Sequence, residues 1–435
     1  MRRVLVVLVL VVATAPVAGA GHTGCPSTDP RVDTWEFDSD AIGSTIVCVL
    51  LPDDYYKGDA RDYPVLFLLH GVGDYEGQWL EKTDIETVTE NLDVIVVMPD
   101  GGGHNGDAGW YSNWVDGPAW ESFHIGELVP AVDGRYRTTG VRAVAGNSMG
   151  GFGAMSYAAR YPDVFVAAAS FSGAVDIAFG GPAQAAAFEM GGQHGLGTPG
   201  DDVWGPYEDD EVNWRDHNPP DLSPNLGATD IWLSTGNGVT MPGDSPASAP
   251  IESGVYTLNQ SFHTDLTTEG KDHTWHDRGH GTHEWRYWEA DLAAYLTPLD
   301  DLPADPPAPP VSFALRSARP AFGAWGWSFD TEEGRAKEFL DLRDVSEDGF
   351  VMTGSGTVHV RTAPVYDAGA TYRVVQVTDR SVSSTLHLVD VDGRLRLTVD
   401  LGPAHTAQQY TPEGRMAEFA DRDYWHTVVV TIAAA

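Results

Sequence analysis

Basic residues are scarce in this chain: 26 Lys and Arg stand against 63 Asp and Glu, a formal net charge of −37. A field of that sign repels phosphate groups, which argues against nucleic acid and anionic membranes as partners and leaves a solvated acidic surface suited to a soluble exported protein. Long apolar runs are also missing. After residue 20 none reaches the ~18 residues that would suggest a membrane-spanning helix. Cysteine is nearly absent, with two in the chain. An oxidising compartment makes pairing of Cys25 with Cys48 the default, tying the mature N-terminus to the first strand without a catalytic task. Closing that loop would stabilise the fold by roughly 3 kcal/mol.

What is present at the N-terminus accounts for export. Arg2 and Arg3 give a positive start, Val4 to Val12 a short apolar segment, and Ala18-Gly19-Ala20 a small-x-small cleavage site, so residues 1–20 read as a signal peptide. The residues after the twin arginines do not extend a folded-protein export motif, and His22 stands where a lipidated-cysteine signal carries a leucine-like residue. The mature protein is expected to be secreted.

At 435 residues the chain exceeds one hydrophobic core, and two folded units are expected. With 42% apolar and 20% charged residues it has an ordinary globular balance rather than that of a disordered chain. The first unit is expected over residues 21–297; from Tyr63 to about Leu296 it alternates short apolar runs with amphipathic stretches, the pattern of a mostly parallel sheet covered by helices. Strands are predicted at Val65–Leu69, Val94–Met98, Ala143–Ala145, Phe165–Phe171 and Ile231–Ser234. Helices are predicted at Trp120–Val132, Met149–Arg160 and Glu284–Leu296, with a hairpin at Val32–Leu51 ahead of them. Ala174–Trp204 reads as an inserted loop. Clustered prolines over 298–311 mark a stiff spacer. Residues 312–435 switch to a period of two and read as a small all-β sandwich, with Asp392-Gly393 taken as a hairpin turn between Leu386–Val391 and Leu395–Leu401. Trp325, Trp327 and Trp425 invite a sugar-stacking platform, and with it a carbohydrate or cell-wall contact, but aromatics in strands more often fill the core. Asp390 and Asp392 beside a glycine read as a turn rather than a calcium site.

The chemistry gathers around Gly146-Asn147-Ser148-Met149-Gly150. This G-x-S-x-G follows an apolar strand and opens a small-residue helix, the setting in which a strained turn lifts a serine hydroxyl into the open. With 48 glycines in the chain the motif alone is weak; the flanking strand and helix make Ser148 a nucleophile rather than a helix cap. The strand ending in His70-Gly71-Val72 supplies a second element, since the amides of Val72 and Met149 would form an oxyanion hole while His70 orders the loop. The base must follow the serine. His283, directly before the last helix, is preferred over His280. His276, His280 and His283 lack the paired carboxylates that would suggest a metal centre, and no cofactor is read. Asp244 and Glu252 both qualify as the acid by their place after the strand Ile231–Ser234.

From Trp35 to Leu296 the chain resembles the esterase-D and mycolyltransferase branch of α/β hydrolases, which includes feruloyl esterases and S-formylglutathione hydrolases. The resemblance is carried by Leu69-His70-Gly71, Met98-Pro99-Asp100, Gly146–Gly151, Val203-Trp204-Gly205-Pro206, Ser234-Thr235-Gly236-Asn237-Gly238 and the run Gly281 to Trp288. It implies an α/β-hydrolase fold. Mycolyltransferases place the acid glutamate shortly before an Asn-Gln-x-Phe segment, here Asn259-Gln260-Ser261-Phe262, which implies Glu252. Where those enzymes hold a sugar acceptor with an aspartate and an arginine, this chain has His70 and Gly73, which implies water as acceptor. The expected function is hydrolysis of small-molecule or polymer-linked esters by Ser148, His283 and Glu252, with acyl transfer to a sugar or lipid alcohol as the alternative.

Overall fold

The computed structural model describes residues 24–57, 61–102, 108–193, 198–299 and 302–435. The expected signal segment lies outside them. Strands β1 (Val32–Ser39), β2 (Gly43–Leu50), β3 (Tyr63–Leu69), β4 (Ile95–Pro99), β5 (Thr138–Asn147), β6 (Ala167–Phe171), β7 (Asp230–Thr235) and β8 (Thr274–Asp277) form one sheet in the order β1-β2-β4-β3-β5-β6-β7-β8. From β4 onward in that order every pairing is parallel, while β1, β2 and β4 meet antiparallel.

The continuous apolar runs follow from burial on both faces. Along β3, Val65, Phe67 and Leu69 join a core with Tyr111 and Phe152, whereas Leu66 and Leu68 join a second core with Trp79 and Trp288. All five residues of β4 and of β6 are buried. The edge strand β8 escaped prediction because it is four largely exposed residues without apolar alternation.

Helices cover the sheet at Met149–Arg160 and Trp285–Leu299, close to the predicted bounds. The predicted helix Trp120–Val132 is present but widens to a π-helix over Ser122–Leu128 before continuing as an α-helix over Val129–Arg135. In the widened stretch His124 is buried, its ring nitrogens bonded to the Tyr157 hydroxyl and the Asp100 carbonyl at 2.9 Å each. The stretch Ala174–Trp204, expected as a loop, carries helices at Pro182–Gln193 and Gly200–Trp204. Cys25 and Cys48 are bonded, and the tie runs to β2, the second strand of the hairpin.

Beyond residue 312 lie two antiparallel sheets. Strands β9 (Phe313–Ser317), β10 (Ala321–Ala324), β11 (Trp327–Thr331), β12 (Leu340–Ser346), β13 (Gly349–Gly354), β14 (Thr357–Arg361), β15 (Thr371–Val377), β16 (Val382–Leu388), β17 (Arg396–Asp400) and β18 (His426–Ala434) divide into β10-β11-β14-β17 and β16-β15-β18-β13-β12-β9. Phe329, Val358 and Val399 from one sheet share a core with Phe350, Val374 and Val430 from the other. Asp392-Gly393 does form a tight turn, with Gly393 at φ +77° and its amide on the Asp390 carbonyl at 3.1 Å. It does not close a hairpin: β16 pairs with β15, and β17 with β14 in the other sheet. A turn signal fixes the local bend but not the partner of the strand that follows. Trp327 is buried as expected of a core residue; Trp325 and Trp425 are half-buried.

The proline-rich segment does not hold the two parts asunder. The Asn225 side chain donates to the Arg316 carbonyl at 2.9 Å and accepts from the Arg316 amide at 2.7 Å, and Asp216 accepts from the Ala318 amide at 2.7 Å.

Candidate active site

Strand β5 ends at Asn147, and the helix begins at Met149, so Ser148 alone makes the turn. Its backbone sits at φ +53° and ψ −115°, a region that L-residues avoid. The neighbouring glycines are dictated by space. A Cβ on Gly146 would lie 2.5 Å from the Gly150 carbonyl carbon, and one on Gly150 would lie 2.4 Å from the Leu69 oxygen. The Ser148 amide is tied to the Phe171 carbonyl at 3.0 Å, which joins the turn to β6.

Two other segments converge on the hydroxyl. His283 stands just before the helix Trp285–Leu299 with Nε2 2.9 Å from Ser148 Oγ, and its Nδ1 lies 2.7 Å from Oε2 of Glu252. The acid was expected on a loop after β7. Glu252, one of the two candidates, lies instead in the first turn of the long helix Ala249–Thr268, where the helix dipole favours a negative charge. Glu252 is fully buried, and its other oxygen, Oε1, accepts from the Gly236 amide at 2.6 Å, the Ser172 hydroxyl at 2.7 Å and the Arg278 guanidinium at 3.0 Å. Burial alone would raise its pKa, but His283, Arg278 and Ser172 together outweigh that and hold the carboxyl below the usual range. Arg278 is itself pinned by an ion pair with buried Asp291.

Asp244, the alternative acid, is not in this relay. Its carboxylate accepts from the Met241 amide at 2.6 Å and the Tyr287 hydroxyl at 2.9 Å and pairs with Arg286. His280, the reserve base, lies with its ring edge toward Tyr287.

Across the turn runs the loop after β3. An ideal Cβ on Gly71 would come 3.4 Å from the Ser148 Cβ, so this loop borders the hydroxyl directly. His70 is buried; the Gly101 amide donates to its Nε2 at 2.8 Å, which leaves Nδ1 to donate to the Gly71 carbonyl at 2.9 Å. The ring thereby locks the loop to the segment after β4, the ordering role read from the sequence. Asp74 accepts the Gly71 amide at 3.2 Å, and burial pushes its carboxyl up to about 6. Val72 follows Gly71 at the rim. Its amide has no hydrogen bond among the described residues, and the Met149 amide, first in its helix, has no acceptor within that helix.

Arg278, Asp291 and Ser172 were not singled out in the sequence. Arg278 stands between His276 and His280, but Glu252 and Asp291, which it bonds, come from 26 residues before and 13 after it, spacings with no readable meaning.

A mostly parallel sheet with a serine on the turn into its central helix defines the α/β-hydrolase class. The chain belongs to the family described as "Putative esterase", which it matches over residues 39–299, more than half its length. An esterase of Mycobacterium tuberculosis is 44% identical over 176 residues, which is 38% of each chain. The chain thus spans well under half the length of that relative. The diacylglycerol acyltransferase/mycolyltransferase Ag85B of Mycolicibacterium smegmatis is 31% identical over 255 residues, covering 54% of this chain and 75% of its own. The crystal structure of Mycobacterium tuberculosis MPT51 superposes with a TM-score of 0.54 at 20% identity, over 62% of this chain and 98% of its own, and shares the fold.

Proposed function

We propose that the chain is a secreted serine carboxylic-ester hydrolase whose catalytic unit is residues 21–297, with 298–311 as connector and 312–435 as an accessory β-unit. The relay from Ser148 Oγ through His283 to Glu252, at 2.9 and 2.7 Å, carries this reading. Ser148 attacks the ester carbonyl while His283 Nε2 takes the hydroxyl proton. Glu252 holds the ring tautomer with Nδ1 protonated and stabilises the imidazolium that forms. The carbonyl oxygen, now an anion, is received by the Val72 and Met149 amides, each donor contributing about 3 kcal/mol. His283 then protonates the leaving alcohol, and an acyl group remains on Ser148. Water, deprotonated by the same imidazole, releases the acid.

Export is supported by the sequence of residues 1–20 and by the Cys25–Cys48 bond, which suits an oxidising compartment. Hydrolysis of short p-nitrophenyl esters by the purified mature protein tests the reading: turnover with burst kinetics is expected, and a protein inert toward all of them contradicts it. The similarity to Ag85B favours a second reading, transfer of the acyl group to an alcohol. In that case added trehalose would divert product from free acid to acyl-sugar; the hydrolase reading expects no such diversion.

A further inference from the structure

Away from Ser148, where the β-unit meets the first unit, lies a cavity of about 500 Å³ walled by both. Its aromatic wall is Trp325, half-buried, with its ring centroid 4.7 Å from that of Phe313. The backbone there is unusual for a tryptophan. Ala324 pairs with Trp327, so Trp325-Gly326 is a two-residue hairpin loop, with φ at +48° and +83°. Positive φ at both positions is the primed turn that takes Asn-Gly or Asp-Gly; a large aromatic at the first position is strained. The strained loop is held against the first unit by a bond from the Trp325 amide to Asp163, 2.8 Å.

The polar wall has its own irregularity. Strand β12 breaks register against both neighbours just past Arg343, and Asp344 at that break has φ +55°. Bulges of this kind re-aim side chains, and both Arg343 and Asp344 line the cavity with Lys271. Among the described residues neither Lys271 nor Arg343 has a carboxylate within salt-bridge distance; Glu269 acts on Lys271 and Asp341 on Arg343 only from further away. Two strained positions, Trp325 and Asp344, therefore border a cavity that Lys271 and Arg343 also line.

The combination selects a ligand chemistry. Arg343 and Asp344 are exposed and Lys271 half-buried, so a wholly apolar guest would take water from all three without replacing it; an anion would leave Asp344 opposed; a cation would face Lys271 and Arg343. A neutral sugar ring satisfies all of them, since its hydroxyls accept from the cations and donate to the carboxylate while its C–H face lies on Trp325. Cavities of this size at unit boundaries are the usual setting for such sites. We infer that this junction is a binding site for a neutral saccharide unit, which would seat the enzyme on a glycan. The inference is independent of the ester reading.

Isothermal titration of the mature protein with cellohexaose, xylohexaose, chitohexaose and maltohexaose, with oligogalacturonate beside them, tests it. At least one neutral hexasaccharide is expected to bind one to one with a Kd of about 1 mM or tighter. Trp325→Asn, which suits the turn but removes the ring, and Asp344→Gly, which relieves its backbone, should each weaken binding about tenfold or more, as should Lys271→Gln. p-Nitrophenyl acetate turnover, the check on fold in each variant, should be unchanged. Absence of saturable binding across the neutral panel, tighter binding of oligogalacturonate, or undiminished binding in Asp344→Gly and Lys271→Gln would overturn the inference.

Discussion

The Arg278 guanidinium lies 3.0 Å from Oε1 of Glu252, the oxygen that His283 does not use. Each carboxylate oxygen thus has its own cationic or ionisable partner, and Asp291 keeps Arg278 in place from behind. Glu252 is favoured in its charged form, so its contribution to stability is present above the unfolded pKa of a glutamate and is lost as pH falls through the lower folded value. Replacing Arg278 with Gln should move that loss to higher pH and carry the acid limb of kcat/KM upward with it. Stability should also drop by about 3–5 kcal/mol, because Asp291 is left buried without its partner. Urea unfolding at pH 5 and 7 beside a pH–rate profile measures both; an unmoved acid limb with only the stability loss would make Arg278 purely structural.

The acid is assigned by a pair of conservative changes. Glu252→Gln keeps the shape but removes the charge and invites the wrong tautomer of His283, so kcat should fall by about three to four orders of magnitude. Asp244→Asn touches only the Tyr287 and Arg286 contacts and should leave kcat within a few-fold. Steady-state kinetics of the two variants separates the roles.

A second buried carboxyl behaves in the opposite sense. Burial, with Asp221 and Asp265 nearby and the Asn218 amide opposing, pushes Asp176 up to about 7. A raised folded pKa means that the protonated form is the stabilising one: its benefit is complete below about pH 4 and is gone by the time pH has risen through 7. Asp176→Asn mimics that form at every pH and keeps an acceptor for the Asn218 amide. The variant should match the parent in stability near pH 4 and exceed it at pH 8, by at most about 4 kcal/mol. Chemical denaturation at the two pH values reads this directly.

The fold and site were unevenly legible in the sequence. Strands β3 to β7 showed themselves because a strand buried on both faces must be apolar throughout, and the turn at Ser148 because only glycines fit beside it. The hydroxyl, the imidazole and the order of the elements followed. The choice between Glu252 and Asp244 rested on resemblance, since position along the chain cannot say which carboxylate a fold turns inward. Strand β8 was silent because an exposed edge needs no pattern. The partner of β17 was misread because Asp392-Gly393 encodes a bend, and the sheet a strand joins is decided by core packing far from it.

The bond between Cys25 and Cys48 spans a separation of 23 residues. Cys25→Ala/Cys48→Ala should lower the unfolding free energy by about 3 kcal/mol while leaving kcat unchanged, since neither residue borders the relay. Equilibrium unfolding with and without a reductant provides the same comparison in the parent protein.

The central claim concerns a single oxygen atom. Incubation with a fluorophosphonate followed by intact mass and peptide mapping should place one adduct, on Ser148, with loss of esterase activity in proportion. Ser148→Ala should show neither adduct nor turnover. Full labelling or undiminished hydrolysis in Ser148→Ala, or an adduct mapped to another residue, would contradict the account.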